Sequence, residues 1–407
     1  MNRDILIVGG GIFGASIAYA LARRGLGERV LLLERQQLAG AATSRAAALV
    51  TLVRDKSHFI PLVQETRRAI EAMRADFSED VGLRQVGALY ATSTAGAADL
   101  DRLAASCGEF GIVSEKLTPD EAIRHSPWLN PAAFDAAVLF PQEAYVEPYL
   151  LSTAYSRSAA HLGVRIRLAA DVRRICCAND RVSGVELPSG EILPAAIVIN
   201  AAGAWAGLLC AELGVPLPMA PVRSQYWITE PDAIFPRQGP IVLLPEIRAY
   251  ARPEIGALLF GIRESRPAVA DPRLLPADLS GFVFDPSDPD GWENLADGAE
   301  QLRRYFPAID RLGIAHYITG PSNYTPDGNL VVGAVDRIAG LFVAAGCNGA
   351  GIAVSGGVGR LIAEQITGQA CFVDAAPHRV ERQGLFDPFA PEFLNLCAAA
   401  RSRKTSG

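Results

Sequence analysis

An apolar run, Ile5-Leu6-Ile7-Val8, breaks on Gly9-Gly10-Gly11-Ile12-Phe13-Gly14, and a second apolar run, Val30 to Leu33, ends in Glu34. Short apolar runs bounded by glycine read as buried strands, so this opening predicts strand, turn, helix, strand. Helices are expected over Thr66 to Phe77, with Ile70, Met73 and Phe77 on one face, over Asp99 to Phe110, and over Tyr149 to Leu162. Thr118-Pro119-Asp120-Glu121 starts another, with a threonine cap, proline first and acids in the first turn. Strands are expected within Leu83 to Ala91 around a glycine kink, over Val164 to Leu168 and over Val172 to Ile175. Ile197 to Ala206 reads as a buried strand entering a small-residue turn. Pro216 to Gly261 alternates strands with proline-rich turns, and Asp285 to Gly291 caps a helix over Trp292 to Phe306. A last buried strand, Leu341 to Ala345, enters Gly346-Cys347-Asn348-Gly349-Ala350-Gly351-Ile352 and a helix from about Val354 to Thr367.

The first of these patterns carries chemistry. In G-x-G-x-x-G, Gly9 makes the tight turn, Gly11 lets the backbone approach a pyrophosphate and Gly14 lets helix pack on strand. The helix start presents N–H groups and a positive dipole end to phosphates. Glu34, 20 residues past Gly14, suits a ribose 2′-hydroxyl and repels a 2′-phosphate. NAD and FAD fit; NADP does not.

Composition narrows the class. The 407 residues are 50% hydrophobic and 20% charged, enough for two or three domains with ample core. A net charge of −6 argues against nucleic acid or an anionic membrane as the main partner. Ile5 to Ala22 is long and apolar, but three adjacent glycines exclude a membrane span, and no small-residue cleavage site marks a signal peptide. A cytoplasmic protein is expected. The seven scattered cysteines lack C-x-x-C spacing and the five histidines lack paired spacing, so neither a disulfide framework nor a metal site is expected. The basic end, Arg401-Ser402-Arg403-Lys404, reads as a solvated, frayed tail.

Three motifs in order, the N-terminal fingerprint, Ala201-Ala202-Gly203-Ala204-Trp205, and Tyr324-Thr325-Pro326-Asp327-Gly328 followed by Ala345 to Ile352, resemble the FAD-dependent D-amino acid oxidase superfamily. The last two pieces are most similar to its sarcosine and dimethylglycine dehydrogenase branch. The resemblance implies a mixed α/β protein. A Rossmann-like FAD-binding domain would be assembled from 1–85, 146–218 and 326–372. A substrate domain on a mixed, largely antiparallel sheet would come from 86–145 and 219–325, leaving 373–407 as a C-terminal tail. It further implies that Gly9, Gly11 and Gly14 meet the pyrophosphate and Glu34 the adenosine ribose, with Ile12, Phe13 and Arg35 also among the cofactor-binding residues. Thr43-Ser44-Arg45 would fold over the pyrophosphate, the Val172 backbone would meet adenine, and Ala202, Gly203 and Trp205 would line the site. Gly346, Asn348, Gly349, Ala350, Gly351 and Ile352 would lie beside the flavin ring.

Departures from the family pattern shape the rest. Ala46-Ala47-Ala48 stands where some members attach FAD through histidine, and about Gly320 where others use cysteine, so FAD is expected to be noncovalent. The arginine that other members carry near Gly320, and the lysine near Ala353, are absent. The reaction implied is oxidation of a C–N bond of a secondary or tertiary amine or amino acid, by hydride transfer to flavin N5, giving an imine that hydrolyses. O2 or an electron carrier would be the acceptor. Leu258-Leu259 near the place of an oxygen-activating lysine leans towards a dehydrogenase. Strand alternation puts Tyr250 and Arg252 on one face, with Arg252 a substrate anchor. Arg54 is a second candidate, Arg223 and Arg263 further ones, and His316 and Tyr324 could hydrogen-bond an amine. Alternatives are a 2-hydroxy-acid or polyol dehydrogenase on the same scaffold, the catalytic subunit of a heteromeric dehydrogenase, and a flavin-binding scaffold without turnover.

Overall fold

The computed structural model describes residues 4–404. Its principal strands, in chain order, are β1 (Ile5–Val8), β2 (Val30–Leu33), β3 (Ala88–Thr92), β4 (Glu115–Leu117), β5 (Ala136–Phe140), β6 (Arg165–Arg167) and β7 (Ile197–Asn200). Then come β8 (Ala220–Thr229), β9 (Ile241–Leu244), β10 (Ala249–Glu254), β11 (Ala257–Ile262), β12 (Ile314–Tyr324), β13 (Val331–Ala334) and β14 (Leu341–Ala345). The helices that position the site are α1 (Ile12–Leu21), α2 (Ile60–Phe77), α3 (Pro148–His161), α4 (Trp292–Tyr305), α5 (Gly351–Thr367) and α6 (Pro391–Ser402).

Six strands form one sheet in the order β13-β14-β7-β1-β2-β6. All its pairings are parallel except β13 with β14, which run antiparallel at the edge. Parallel strands need both faces covered, which explains why β1 and the first three residues of β7 are apolar without alternation. Helix α1 is buried at every position. It packs on α5 through glycine, since a Cβ on Gly359 would sit 2.6 Å from the Ser16 carbonyl oxygen. The opposite face of α5 meets α2, where a Cβ on Gly357 would come within 2.4 Å of Leu62 Cα.

The second sheet has eight strands in the order β12-β8-β11-β10-β9-β3-β5-β4. Only β9 with β3 is parallel; the other pairings are antiparallel. Its core gathers Trp227, Phe260, Trp128 and Phe306. The first sheet draws its strands from 5–33, 165–200 and 331–345, and the second from 88–140 and 220–324.

Several elements differ from expectation. Helix α2 begins six residues before Thr66, with Pro61 in its first turn. The strand expected from Val172 starts at Arg174 and is bulged between Cys176 and Cys177. The frayed-tail expectation is overturned. Residues 391–402 form α6, because Phe393, Leu394, Cys397 and Ala398 make a helical stripe buried against Ala220, Val222 and Tyr324. Arg401 is 5% exposed.

Candidate functional site

The strand-to-helix turn after β1 has the geometry its glycines require. Gly9 has a φ of +105°, and a Cβ there would lie 2.5 Å from the Ala201 carbonyl oxygen. On Gly14 it would lie 1.9 Å from the Gly9 carbonyl oxygen, so any larger residue separates helix from strand. The Glu34 carboxylate accepts from the backbone N–H of Gly10 at 2.8 Å and of Gln36 at 2.9 Å, which places it at the mouth of the turn. Thr43 Oγ1 accepts from the Ile12 N–H at 3.1 Å, bringing the 40–46 loop over the start of α1. Arg35 lies 3.6 Å from the Trp205 ring centre and closes the far end. Burial lowers the Arg35 pKa, with Asp171 and Glu34 opposing.

Two chambers share this turn. One is lined by Gly9, Glu34, Arg35, Val172, Ala202 and Trp205 among others. The other is lined by Ile12, Phe13 and the second glycine turn, Gly346 to Ile352 apart from Asn348. Gly11, Thr43 and Gly203 belong to both, so the two make one trough across the C-terminal ends of β1 and β7. That is where open parallel sheets bind dinucleotides. Ser44 is exposed and lines neither chamber.

The second glycine turn is held from behind by Asn348. Its Oδ1 accepts from the Thr325 N–H at 2.9 Å, and its Nδ2 donates to the carbonyls of Asn329 and Gly346. The Asn348 side chain is thus committed to the loop. The first turn of α5, starting at Gly351, points its N–H groups towards the chamber, Val354 being the first to bond back to Ala350.

Charge in the second chamber is one-sided: Arg45, Arg263, Arg401 and Lys404 line it and, among the described residues, no aspartate or glutamate does. Behind its wall, Glu264 joins three donors: Arg223 Nε at 3.1 Å, Gln225 Nε2 at 2.8 Å and Arg401 Nε at 2.9 Å. Burial pulls the Arg401 pKa down, but Glu264 and Tyr324 outweigh it and hold it above its ordinary value. Burial lowers that of Arg263. Lys404 falls well below the lysine range through burial, then Arg263 and Arg54. Tyr250 is pushed up to about 12 by burial. Arg45 runs past Gly320, where a Cβ would lie 3.0 Å from its Cδ, so the place expected for an attachment cysteine is filled by the Arg45 stem.

Of the substrate residues expected from sequence, Tyr250 and Tyr324 line this chamber. Arg54 and Tyr324 line a smaller adjoining one, together with Asn348, Lys56 and Lys404. The structure does not bring Arg252 or His316 to either. Arg252 pairs with Glu254 and lies 4.0 Å from the Tyr145 ring centre. His316 is exposed near the start of β12. Arg263, a minor candidate by sequence, lines the chamber; Arg401 and Lys404 were missed, because their chain neighbourhood reads only as a basic tail. The helical stripe Phe393, Leu394, Cys397 was the signal that the tail docks.

A glycine cradle closed by an acid, continuous with a second glycine turn, defines a dinucleotide-binding oxidoreductase fold. The sequence profile of the FAD-dependent oxidoreductase family matches residues 4–365, and the chain belongs to that family. Its cofactor is FAD, and the glycine cradle and Glu34 fit it. The chain is 30% identical over 380 residues to the 4-methylaminobutanoate oxidase (formaldehyde-forming) of Paenarthrobacter nicotinovorans, covering 93% of this chain but 45% of that protein. It is 28% identical to the glycine oxidase of Geobacillus kaustophilus, covering 93% and 97%. The chain thus spans less than half the length of the first of these relatives. The solved L-proline dehydrogenase from P. horikoshii shares the fold, with a TM-score of 0.80 at 24% identity over 95% of this chain and 99% of that one. Among the described residues, no helix is long and apolar enough to cross a membrane, and no cluster of three or more metal-ligating side chains occurs.

Proposed function

We propose that this chain oxidises the C–N bond of a secondary or tertiary amine, or amino acid, that carries a carboxylate. The observation that carries the reading is the chamber itself, with four basic side chains, no carboxylate among the described residues, and a helix N-terminus. Such a lining favours an anionic substrate, and the family supplies a cofactor that accepts a hydride from the carbon next to nitrogen. The relatives act on methylaminobutanoate and glycine by name, which supports an amine with an acid group and, for N-methyl substrates, demethylation.

The chain's own residues do the binding. Arg263 and Lys404 hold charge at one end, while Tyr226, Tyr250 and Tyr324 wall the chamber and exclude water. The α5 N-terminus favours negative charge where its N–H groups point. The cofactor is proposed to be held without a covalent bond, since Ala46, Ala47, Ala48 and Gly320 line the chamber at the expected attachment places. Also part of the proposal are the two-domain division, with O2 or an electron carrier as acceptor, and a reducing, cytoplasmic location suited to seven free cysteines.

The test is anaerobic bleaching of the flavin absorbance by a panel of N-methyl amino acids, proline-type imino acids, D-amino acids and 2-hydroxy acids. Bleaching by an amine class supports the reading. Bleaching by hydroxy acids alone overturns it.

A further inference from the structure

We propose that Lys404, carried into the chamber by the C-terminal segment, is the residue that pairs with the substrate carboxylate. The inference rests on the amine-oxidation reading above and assigns the anchor within it. Three observations support it. First, the segment is held in place independently of any ligand: Arg401 Nε donates to Glu264 at 2.9 Å, Ser402 Oγ to the Glu264 carbonyl at 2.9 Å, and Arg263 Nη1 to the Lys404 carbonyl at 2.8 Å. Lys404 is therefore positioned by its backbone, leaving its side chain for other work.

Second, the ammonium has three donors. The acceptor it meets is a neutral one, the Asn348 carbonyl at 3.1 Å on the second glycine turn. Among the described residues no carboxylate bonds to it, and Asp327, which lines the same smaller chamber, is paired with Arg382 instead. Third, Lys404 lies on the boundary between the main chamber and the smaller one, sharing that place with Tyr324 and Ala350. A Cβ on Gly349 would lie 3.4 Å from its Nζ, so the ammonium sits against the glycine turn.

The electrostatics agree with this geometry. The charged and titratable groups around Lys404 include Arg263 after β11, Arg54, Asp55 and Lys56 on the loop before α2, Tyr324 on β12, Asp327 just after it, Cys347 in the glycine turn, and Arg401 and Arg403 on its own segment. Burial, Arg263 and Arg54 disfavour its charge, and Asp55 opposes them only in part. A carboxylate entering here adds negative charge beside the ammonium and raises its pKa back towards the ordinary lysine range. Binding of an acid is then coupled to proton uptake and weakens as pH rises.

The experiment uses the FAD-loaded protein and does not require turnover. Pyrrole-2-carboxylate, acetate and uncharged pyrrole are titrated while flavin absorbance is followed, for the wild type, Lys404→Met and Lys404→Arg. The expected result is a Kd for the carboxylates about tenfold or more weaker in Lys404→Met. Pyrrole is unaffected, flavin content is unchanged and Lys404→Arg recovers part of the loss. Calorimetry in two buffers shows proton uptake in the wild type and less in Lys404→Met. An unchanged Kd in Lys404→Met overturns the assignment, as does a wild-type spectrum that no carboxylate moves. A variant that binds carboxylates normally but reoxidises slowly in O2 also overturns it, by placing the lysine on oxygen instead. If no amine bleaches the wild type, the functional reading fails in its own assay, and this titration still decides the anchor.

Discussion

Replacing Glu264 with glutamine tests how the tail reaches the site. Glu264 is 3% exposed and accepts from Arg223, Gln225 and Arg401. One carboxylate oxygen serves Arg223 and Gln225, and the other serves Arg401. Glutamine keeps one acceptor oxygen and turns an NH2 towards the remaining donors. Keeping the doubly bonded side sacrifices Arg401, which is left as a buried cation facing a donor. Breaking a buried pair in this way costs about 3–5 kcal/mol. The loss falls on the docking of α6, because Arg401 is the buried charged tie between that helix and the loop after β11, beside the Ser402 hydrogen bond and the apolar stripe. At about 1.4 kcal/mol per decade, amide protection over 391–402 should fall by about a hundredfold or more. Hydrogen exchange read by mass spectrometry on the FAD-loaded protein measures it, with α1 as the element that should not change. Adding Arg401→Met should restore part of the loss, since no cation is then left facing glutamine. Protection of α6 that is unchanged in Glu264→Gln, or that falls equally in α1, would refute the reasoning.

Other perturbations follow from the same geometry. Gly14→Val puts a side chain onto the Gly9 carbonyl, 1.9 Å from its Cβ, and should yield protein without flavin colour after purification. Glu34→Ala removes the acceptor for the Gly10 and Gln36 N–H groups and should weaken FAD by about 1–3 kcal/mol, read as the Kd for FAD added to the apoprotein. Arg252→Ala should leave KM for a carboxylate substrate nearly unchanged while lowering Tm, because Arg252 is occupied with Glu254 and Tyr145; a large rise in KM would return it to the site. His378 is fully buried against His58 and Phe59, and its pKa is lowered to about 3 by burial, then by His58 and Arg382. Its neutral form belongs to the fold, so stability is full above 6.5 and falls as pH drops towards 3, by at most about 1.4 kcal/mol per pH unit. Denaturant midpoints of His378→Phe should slope less with pH over that window.

What could be read from sequence was what is local. The β1 turn and the 346–352 turn each need a run of neighbours in special backbone positions, and glycine spacing records that need directly. The mixed sheet followed from the family resemblance, which spans most of the chain. The cationic wall was not legible, because Arg263, Arg401 and Lys404 meet only after β11 and α6 have packed. Arg252 shows the limit of periodicity. Alternation puts it on the face of Tyr250, but a face does not say how far along the strand the site extends. His316 fails in the same way. It has the parity of Tyr324 on β12, yet eight residues of strand carry it roughly 26 Å away.

The strand order has a consequence in time. β1 lies between β2 and β7, and β7 waits for β14, residues 341–345. Helix α1, buried at all its positions in the finished protein, waits for the glycine face of α5. At about 5–20 residues per second, roughly 20 to 70 s pass on the ribosome between the synthesis of α1 and that of α5. During that interval α1 can meet α3, through Tyr19 and Tyr155, but its face for α5 stays bare and the phosphate turn cannot yet be used. Cofactor capture is therefore a late event in the life of the nascent chain, and a transcript broken before residue 341 yields a sticky product rather than a smaller flavoprotein.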